Sequence, residues 1–120
     1  MARVLVVEDE PNIGSIIVFK LTREGHEVRW EQQAGTVPAA ASAFRPDLVL
    51  VDSSLPDGDS FALLASLRES SSVIMLTEFR DQDTPARAKA AGALATIEKP
   101  FKPTVLARIV AQLVAPAPAC

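Results

Sequence analysis

Five short apolar runs, separated by segments with helical character, strongly restrict what this chain of 120 residues can fold into. The first, third and fourth runs are almost continuously apolar, which is typical of strands that are covered on both faces, as in a parallel sheet. The second run, within EVRWE, and the fifth are shorter or more mixed, so we place both at sheet edges. The predicted strands are residues 4–7, 28–30, 48–51, 73–76 and 94–97.

The segments between these runs carry apolar residues near helical spacing, or begin and end with helix signals. Gly25 and Gly92 follow two of the segments as stop signals, and Pro85 lies in the first turn of another. Pro38 must likewise lie in a first turn, because proline breaks a helix interior. We predict helices at residues 12–23, 37–44, 61–68, 84–91 and 103–114.

A strand followed by a helix, repeated five times, predicts the fold class. We expect an α/β, doubly wound (βα)5 protein, a three-layer sandwich in which helices cover both faces of a five-stranded parallel sheet through right-handed crossovers. We assign residues 1–114 to one domain. Residues 115–120, APAPAC, are interpreted as a C-terminal tail or the start of a linker.

Composition excludes several classes of function. The net charge of −3 does not indicate nucleic-acid binding by this domain. No apolar run approaches the roughly 20 residues that span a bilayer, and the acids that follow the first run argue against a signal peptide. Cys120 is the single cysteine, so an internal disulfide is impossible. We therefore expect a cytoplasmic domain with no membrane contact.

Polar residues stand at the carboxyl ends of the predicted strands, where ligands bind in open parallel sheets. Glu8 and Asp9 follow the first strand, and Asp52 ends the third. Thr77 ends the fourth strand, and Lys99 follows the fifth. The sequence therefore predicts three carboxylates, one hydroxyl and one ammonium at a single edge of the sheet.

This set of groups suits phosphoryl transfer. Carboxylate oxygens from Glu8, Asp9 and Asp52 form a hard site that suits Mg²⁺, which keeps several waters and binds phosphate oxygens. Thr77 can donate to a phosphoryl oxygen, and Lys99 can neutralise the same group. A carboxylate can itself be the nucleophile and form an aspartyl phosphate.

Four motifs carry a resemblance to a known family. They are VEDE, DLVLVDSSLPDG, VIMLT and EKPF, and they occur in this order at the predicted strand ends. Each motif is weak alone, but together they resemble the receiver domain of two-component response regulators of the chemotaxis-regulator type. The resemblance extends from residue 3 to about residue 114.

The resemblance implies a flavodoxin-like sheet with strand order 2-1-3-4-5 and a role for each motif residue. Asp52 would accept a phosphoryl group from a sensor histidine kinase or phosphotransfer protein. Asp9, Asp52 and the backbone carbonyl of Ser54 would bind Mg²⁺, with Glu8 acting mainly through a metal-bound water. Thr77 and Lys99 would bind the phosphoryl oxygens. The Lys99–Pro100 peptide bond is expected to be cis.

By the same resemblance the chain is a signalling switch and not a metabolic enzyme. Its only reactions would be its own Mg²⁺-dependent phosphorylation and autodephosphorylation. Phosphorylation would change the surface formed by helix 4, strand 5 and helix 5. The sequence does not name the effector domain or output protein that reads this change.

Three residues depart from the pattern of the family. Thr96 replaces the aromatic or histidine residue that usually acts with the switch threonine, and this puts the output route in doubt. Glu78 replaces a small residue, and we expect its side chain to point outward and be neutral in effect. Ser60 replaces a frequent glycine, where we expect little consequence because Ser60 or Asp59 suits the N-cap of the third helix.

Two alternative functions and three plain structural assignments complete the interpretation. A pseudo-receiver that signals without phosphorylation is suggested by Thr96 and Glu78. A flavin or nucleotide binder of the same fold is disfavoured, because no glycine-rich loop follows the first strand and the acids there would repel phosphate. His26 is interpreted as a surface turn residue, Trp30 as partly buried, and Asp57 as a solvated loop residue.

Overall fold

The computed structural model describes residues 2–114, in which strands and helices alternate along the chain. The predicted tail at 115–120 lies outside the described residues. The strands are β1 (Arg3–Val7), β2 (Glu27–Glu31), β3 (Leu48–Asp52), β4 (Ser72–Thr77) and β5 (Ala95–Glu98). The helices are α1 (Pro11–Arg23), α2 (Val37–Phe44), α3 (Ser60–Leu67), α4 (Thr84–Ala90) and α5 (Pro103–Val114), with a short 3₁₀ turn at Ala34–Thr36.

The five strands form one parallel sheet in the order β2-β1-β3-β4-β5, which confirms the predicted strand order. Val7 at the end of β1 pairs with Val51, the residue before Asp52 in β3. Asp52 pairs with Leu76 of β4, and Thr77 pairs with Glu98 of β5. This register brings the residues that follow β1, β3, β4 and β5 to the same edge of the sheet.

The core consists of two apolar layers, because successive side chains of a strand point to opposite faces. Val49 and Val51 of β3 face a layer that also contains residues of α2, α3 and α4. Leu48 and Leu50 face the other layer, which contains residues of α1 and α5. Each fully buried Val or Leu contributes about 1.5–3 kcal/mol. The central strands are therefore covered on both faces, as their continuous apolarity predicts.

The edge strands are less buried, as expected for β2 and β5. Trp30 of β2 is half-buried, and its ring lies against Gly14 of α1, where an added Cβ would stand 2.2 Å from the indole. The indole Nε1 donates a hydrogen bond of 2.9 Å to the backbone carbonyl of Glu8. Trp30 thus links the edge of the sheet to the acidic loop that follows β1.

The carboxylate of Asp59 and the hydroxyl of Ser60 make different hydrogen bonds at the start of α3. Asp59 is the N-cap, and its carboxylate accepts hydrogen bonds from the amides of Phe61 and Ala62. Ser60 is the first helical residue, and its buried hydroxyl donates a 2.6 Å hydrogen bond to the carbonyl of Asp52. The side chain of Ser60 therefore ties α3 to the end of β3, and the expectation that Ser60 has little consequence stays a prediction.

His26 corrects the interpretation of a surface turn residue. Gly25 adopts a φ of +94° after α1, a conformation that favours glycine, and the chain then turns into β2. His26 is only 9% exposed, and its Nδ1 accepts a hydrogen bond of 3.2 Å from the amide of Ala2. The imidazole therefore lies between the start of β1 and the start of β2, at the opposite edge from the acidic residues.

Within the described part of the chain, no helix is long and apolar enough to cross a membrane.

Candidate functional site

The three predicted carboxylates lie together where β1 and β3 end. Glu8 is fully buried, Asp52 is 2% exposed and Asp9 is half-buried. Each offers one carboxylate oxygen, and these oxygens lie within 4.8 Å of one another. Carboxylates at this separation repel one another unless a cation is present, and they are the ligands that hard divalent cations prefer. The donor set therefore fits a metal ion.

Lys99 faces two of these carboxylates from the end of β5. Its Nζ lies 3.0 Å from Oε2 of Glu8 and 3.2 Å from Oδ1 of Asp52. Its backbone amide donates to the carbonyl of Thr77 at 2.8 Å, which fixes Lys99 against the end of β4. The Lys99–Pro100 bond is cis, as predicted. The ammonium thus compensates part of the charge of the acidic group.

Thr77 completes the predicted set. The residue is buried, and its carbonyl is used by the amide of Lys99. Its Oγ1 is a buried hydroxyl with no hydrogen-bond partner among residues 2–114. Buried polar groups are nearly always paired, because an unpaired one costs about 1–3 kcal/mol. A buried hydroxyl without a partner, on the residue whose carbonyl binds the Lys99 amide, is therefore suited to an anionic ligand.

Ser54 holds the carboxylate of Asp52 from the loop that follows β3. Its backbone amide and its hydroxyl donate to Oδ1 of Asp52, at 3.2 and 3.4 Å. The neighbouring amide of Ser53 donates to the carbonyl of Leu76 at 2.8 Å, so the loop is tied to β4. The predicted role of the Ser54 carbonyl as a metal ligand stays a prediction.

Burial and charge shift the protonation of the acidic residues in different directions. Burial raises the pKa of Glu8 to about 7, and the charge of Asp52 adds to this against the opposing effect of Lys99. Burial also raises the pKa of Asp9, as do its hydrogen bond and charge interaction with Asp52. A bound divalent cation would favour the ionised form of both.

The pKa of Asp52 shifts in the opposite direction from that of Glu8, although both residues are buried. Burial favours its neutral form, but the hydrogen bond from Ser54 and the charge of Lys99 outweigh burial and lower the pKa of Asp52. For Lys99, burial disfavours the charge, but the hydrogen bond to Glu8 and the charge of Asp52 raise its pKa. The site therefore holds an ionised Asp52 against a protonated Lys99, the states that a carboxylate nucleophile needs.

The Glu78 side chain does not point outward as expected, and its effect on the site stays a prediction. The side chain is half-exposed, but its Oε2 lies 3.5 Å from Nζ of Lys99. Thr96 lies half-buried in β5 and pairs with Met75 of β4, at the side of the site. Sequence reasoning also missed Trp30 and Ser60, whose hydrogen bonds to the backbone hold the acidic residues. The sequence signal that could have placed Glu78 near the site was its position directly after Thr77.

Comparisons with known sequences agree with one another. A family model described as the response regulator receiver domain matches residues 4–111. The chain is 35% identical over 102 residues to the transcriptional regulatory protein PdtaR of Mycobacterium tuberculosis, an alignment that covers 82% of this chain and 50% of PdtaR. It is 34% identical over 114 residues to the DNA-binding response regulator MtrA of Mycolicibacterium smegmatis, covering 92% and 50%. The chain thus spans about half the length of these curated relatives.

Solved structures give the same picture of the fold. The BeF3-activated DrrB receiver domain superposes with a TM-score of 0.86 at 27% identity, covering 97% of this chain and 99% of that one. NtrX from Brucella abortus, solved in complex with ATP, superposes with a TM-score of 0.88 at 32% identity, covering 94% of this chain but 27% of NtrX. Each of these proteins contains a domain that shares the whole sheet and its helices with this chain.

Proposed function

Because the chain belongs to the family of response regulator receiver domains of two-component signalling, we propose that Asp52 accepts a phosphoryl group and thereby operates a signalling switch. The observation that carries this proposal is the meeting of three groups at one edge of the sheet. The carboxylate of Asp52 contacts the Lys99 ammonium, and the buried hydroxyl of Thr77 has no partner within residues 2–114.

Asp52 is the nucleophile in this proposal. One of its oxygens forms a bond to phosphorus while the bond between phosphorus and the imidazole nitrogen of a donor phosphohistidine breaks, and the nitrogen keeps the electron pair. The lowered pKa of Asp52 keeps the carboxylate ionised for this attack. Lys99 neutralises the phosphoryl oxygens and Thr77 donates a hydrogen bond to one of them. Hydrolysis of the acyl phosphate resets the switch.

The acidic cluster of Glu8, Asp9 and Asp52 could bind a metal ion, and we assign it to Mg²⁺. Asp9, Asp52 and the carbonyl of Ser54 would be direct ligands, and Glu8 would act through a bound water. The assignment rests on the all-oxygen donor set, which Mg²⁺ prefers. When bound, the cation neutralises charge between the carboxylates and the phosphoryl oxygens.

A sensor histidine kinase or phosphotransfer protein is the proposed donor, and an apolar groove beside the site supports this. The groove has a volume of about 450 Å³, and Lys99 and Glu78 are among the residues that line it. Ile16 of α1 and Phe79 of the loop after β4 line it and are 47% and 61% exposed. A donor that brings its phosphohistidine to Asp52 would cover these side chains.

The proposed output is a shift of population between two conformations. Phosphorylation adds roughly 1.5 to 2 negative charges beside Asp52. The loop between β4 and α4 would then rearrange around Thr77, and the surface formed by α4, β5 and α5 would change. The effector domain or protein that reads this surface is not identified by these residues.

Labelling from a small phosphodonor tests the function. With radiolabelled acetyl phosphate and Mg²⁺, wild-type protein should incorporate label and Asp52→Asn should incorporate none. Asp83→Asn is the matched control, because Asp83 is exposed and its side chain does not cap α4. Label retained by Asp52→Asn would refute the proposal. Fluoroberyllate binding that shifts the amide signals of Thr77 and Lys99 would separate a phosphoacceptor from an interaction module that is never phosphorylated.

A further inference from the structure

Glu78 is the one acidic side chain that reaches the Lys99 ammonium from the β4 side of the described structure. Its Oε2 lies 3.5 Å from Nζ, while Glu8 and Asp52 contact the same Nζ at 3.0 and 3.2 Å. Glu8 and Asp52 are buried, whereas the Glu78 side chain is 50% exposed and projects from a loop. Lys99 is therefore shared among three carboxylates, of which only Glu78 is free to move away.

We propose that Glu78 competes with the incoming phosphoryl group for Lys99 and sets the affinity of the site for that group. In the unphosphorylated protein the Glu78 carboxylate holds the ammonium. When a phosphoryl group binds at Asp52, it takes over this ammonium and repels Glu78. This inference rests on the function proposed for Asp52, and it makes Glu78 a positioning residue that acts through Lys99.

The charges involved favour displacement of Glu78. An exposed or half-exposed ion pair contributes only about 0.2–1 kcal/mol, so the contact between Glu78 and Lys99 is weak. A phosphoryl group carries roughly 1.5 to 2 negative charges and binds lysine with charge-assisted hydrogen bonds. Because Asp52 already lies 3.2 Å from Lys99, a group attached to it arrives within reach of the same ammonium. Glu78 therefore loses its partner and gains a like-charged neighbour.

Glu78 is connected to α4 through its backbone, so we expect displacement of its side chain to change the loop between β4 and α4. Its carbonyl accepts a 3.2 Å hydrogen bond from the amide of Asp81. The carboxylate of Asp81 in turn accepts hydrogen bonds from the amides of Asp83 and Thr84 at the start of α4. Arg80, which lies between Glu78 and Asp81, adopts a φ of +63° within this turn. The ion pair thus connects Lys99 through this turn to α4.

Fluoroberyllate affinity, with Mg²⁺ present, measures the competition. Trp30 is the single tryptophan and its indole contacts the carbonyl of Glu8, so its fluorescence can report binding at the site. Glu78→Gln keeps the size and removes the charge, and we expect about two- to fivefold tighter binding. Glu98→Gln is the control, since Glu98 is exposed at the end of the neighbouring strand and carries the same charge. We expect the control to bind like wild type.

Two further results would overturn the inference. Tighter binding by Glu78→Ala with no change in Glu78→Gln would mean that size matters and charge does not. An equal gain in Glu98→Gln would mean that net charge acts without any contact to Lys99.

An NMR measurement tests the ion pair without any phosphate mimic. In protein free of Mg²⁺ and fluoroberyllate, Glu78→Gln should shift the side-chain signals of Lys99 and the amide signals of residues 79–81, and Glu98→Gln should not shift the latter. Unmoved Lys99 signals would contradict the proposed contact. Wild-type protein that binds no fluoroberyllate would refute the function of Asp52, whereas normal binding with no effect of Glu78→Gln would refute this inference alone.

Discussion

The two halves of the site are built differently. The acidic half consists of Glu8, Asp9 and Asp52 and is fixed by hydrogen bonds to its backbone. The indole of Trp30 donates to the carbonyl of Glu8, and the hydroxyl of Ser60 donates to the carbonyl of Asp52. These bonds are made to backbone carbonyls and not to the carboxylates, so we expect the acidic half to keep its geometry when a cation or a phosphoryl group binds.

The other half, which we term the lysine half, consists of Thr77, Glu78 and Lys99 and is held mainly by charge. Lys99 contacts carboxylates on both sides, and the hydroxyl of Thr77 has no partner within residues 2–114. We therefore expect the contacts of the lysine half to change when a phosphoryl group binds. Under the proposed function, the acidic half would carry out the chemistry with little movement, and the lysine half would respond to the added charge by moving.

The largest expected effect tests whether Lys99 joins the two halves. Lys99→Ala should slow phosphorylation by acetyl phosphate by about 10²–10³-fold, the usual cost of removing one group that stabilises developing charge. Lys102→Ala is the control, because Lys102 is an exposed lysine of the same loop. The measurement is the initial rate of label incorporation at saturating Mg²⁺. A rate for Lys99→Ala within about threefold of wild type would remove Lys99 from the reaction.

The next largest expected effect is a pH dependence of stability that arises from the protonation of Glu8 in the acidic half. The pKa of Glu8 is raised from its ordinary 4.5 to about 7, so between these values the folded protein binds more protons than the unfolded chain. The stability that this provides is present below pH 4.5 and is lost as the pH rises through about 7, with a magnitude of about 3 kcal/mol.

Denaturant unfolding measures this dependence without Mg²⁺. The free energy of unfolding attributable to Glu8 should fall between pH 5 and pH 8, and Glu8→Gln should remove most of that fall. Mg²⁺ should restore stability at pH 8, because the cation compensates the ionised carboxylate. A wild-type pH dependence identical to that of Glu8→Gln would show that Glu8 is not the titrating group.

The predicted part of the site follows from topology. Parallel strands bring their carboxyl ends to one edge, so finding Asp52, Thr77 and Lys99 at strand ends was enough to predict that they meet. The strand order came from the resemblance, since a repeated strand-helix pattern alone allows several orders. The five strands and five helices were predicted with bounds that differ from the structure by at most one residue at each end.

The rest depends on side-chain directions that sequence does not define. Glu78 turns toward Lys99 from a loop that is closed by the bond of the Asp81 amide to its carbonyl, and its place after Thr77 did not define the direction of its side chain. His26 follows a glycine turn that can direct a side chain to either side, and here it lies buried against the backbone of Ala2. Each of these outcomes is decided by tertiary neighbours far along the chain or by a local φ angle.

The smallest expected effect concerns Ser60, whose hydroxyl donates a hydrogen bond to the backbone carbonyl of Asp52. Asp59 and Ser60 are both good N-cap residues, so their order in the sequence did not reveal that Asp59 caps α3 while Ser60 bonds to β3. Ser60→Ala leaves the buried carbonyl of Asp52 without this donor and should lower the free energy of unfolding by about 1 kcal/mol. It should also slow phosphorylation, but by less than Lys99→Ala, because it loosens the carboxylate without removing a charge.

Ser66→Ala is a suitable control, since Ser66 lies exposed on the same helix. Urea unfolding and labelling from acetyl phosphate would be measured on both variants. A loss of stability in Ser60→Ala together with an unchanged labelling rate would mean that the Ser60 bond supports the fold but does not orient Asp52. Because Ser54 donates to the carboxylate of Asp52, the contrast with the lysine half would then rest on the bond from Trp30 to the carbonyl of Glu8.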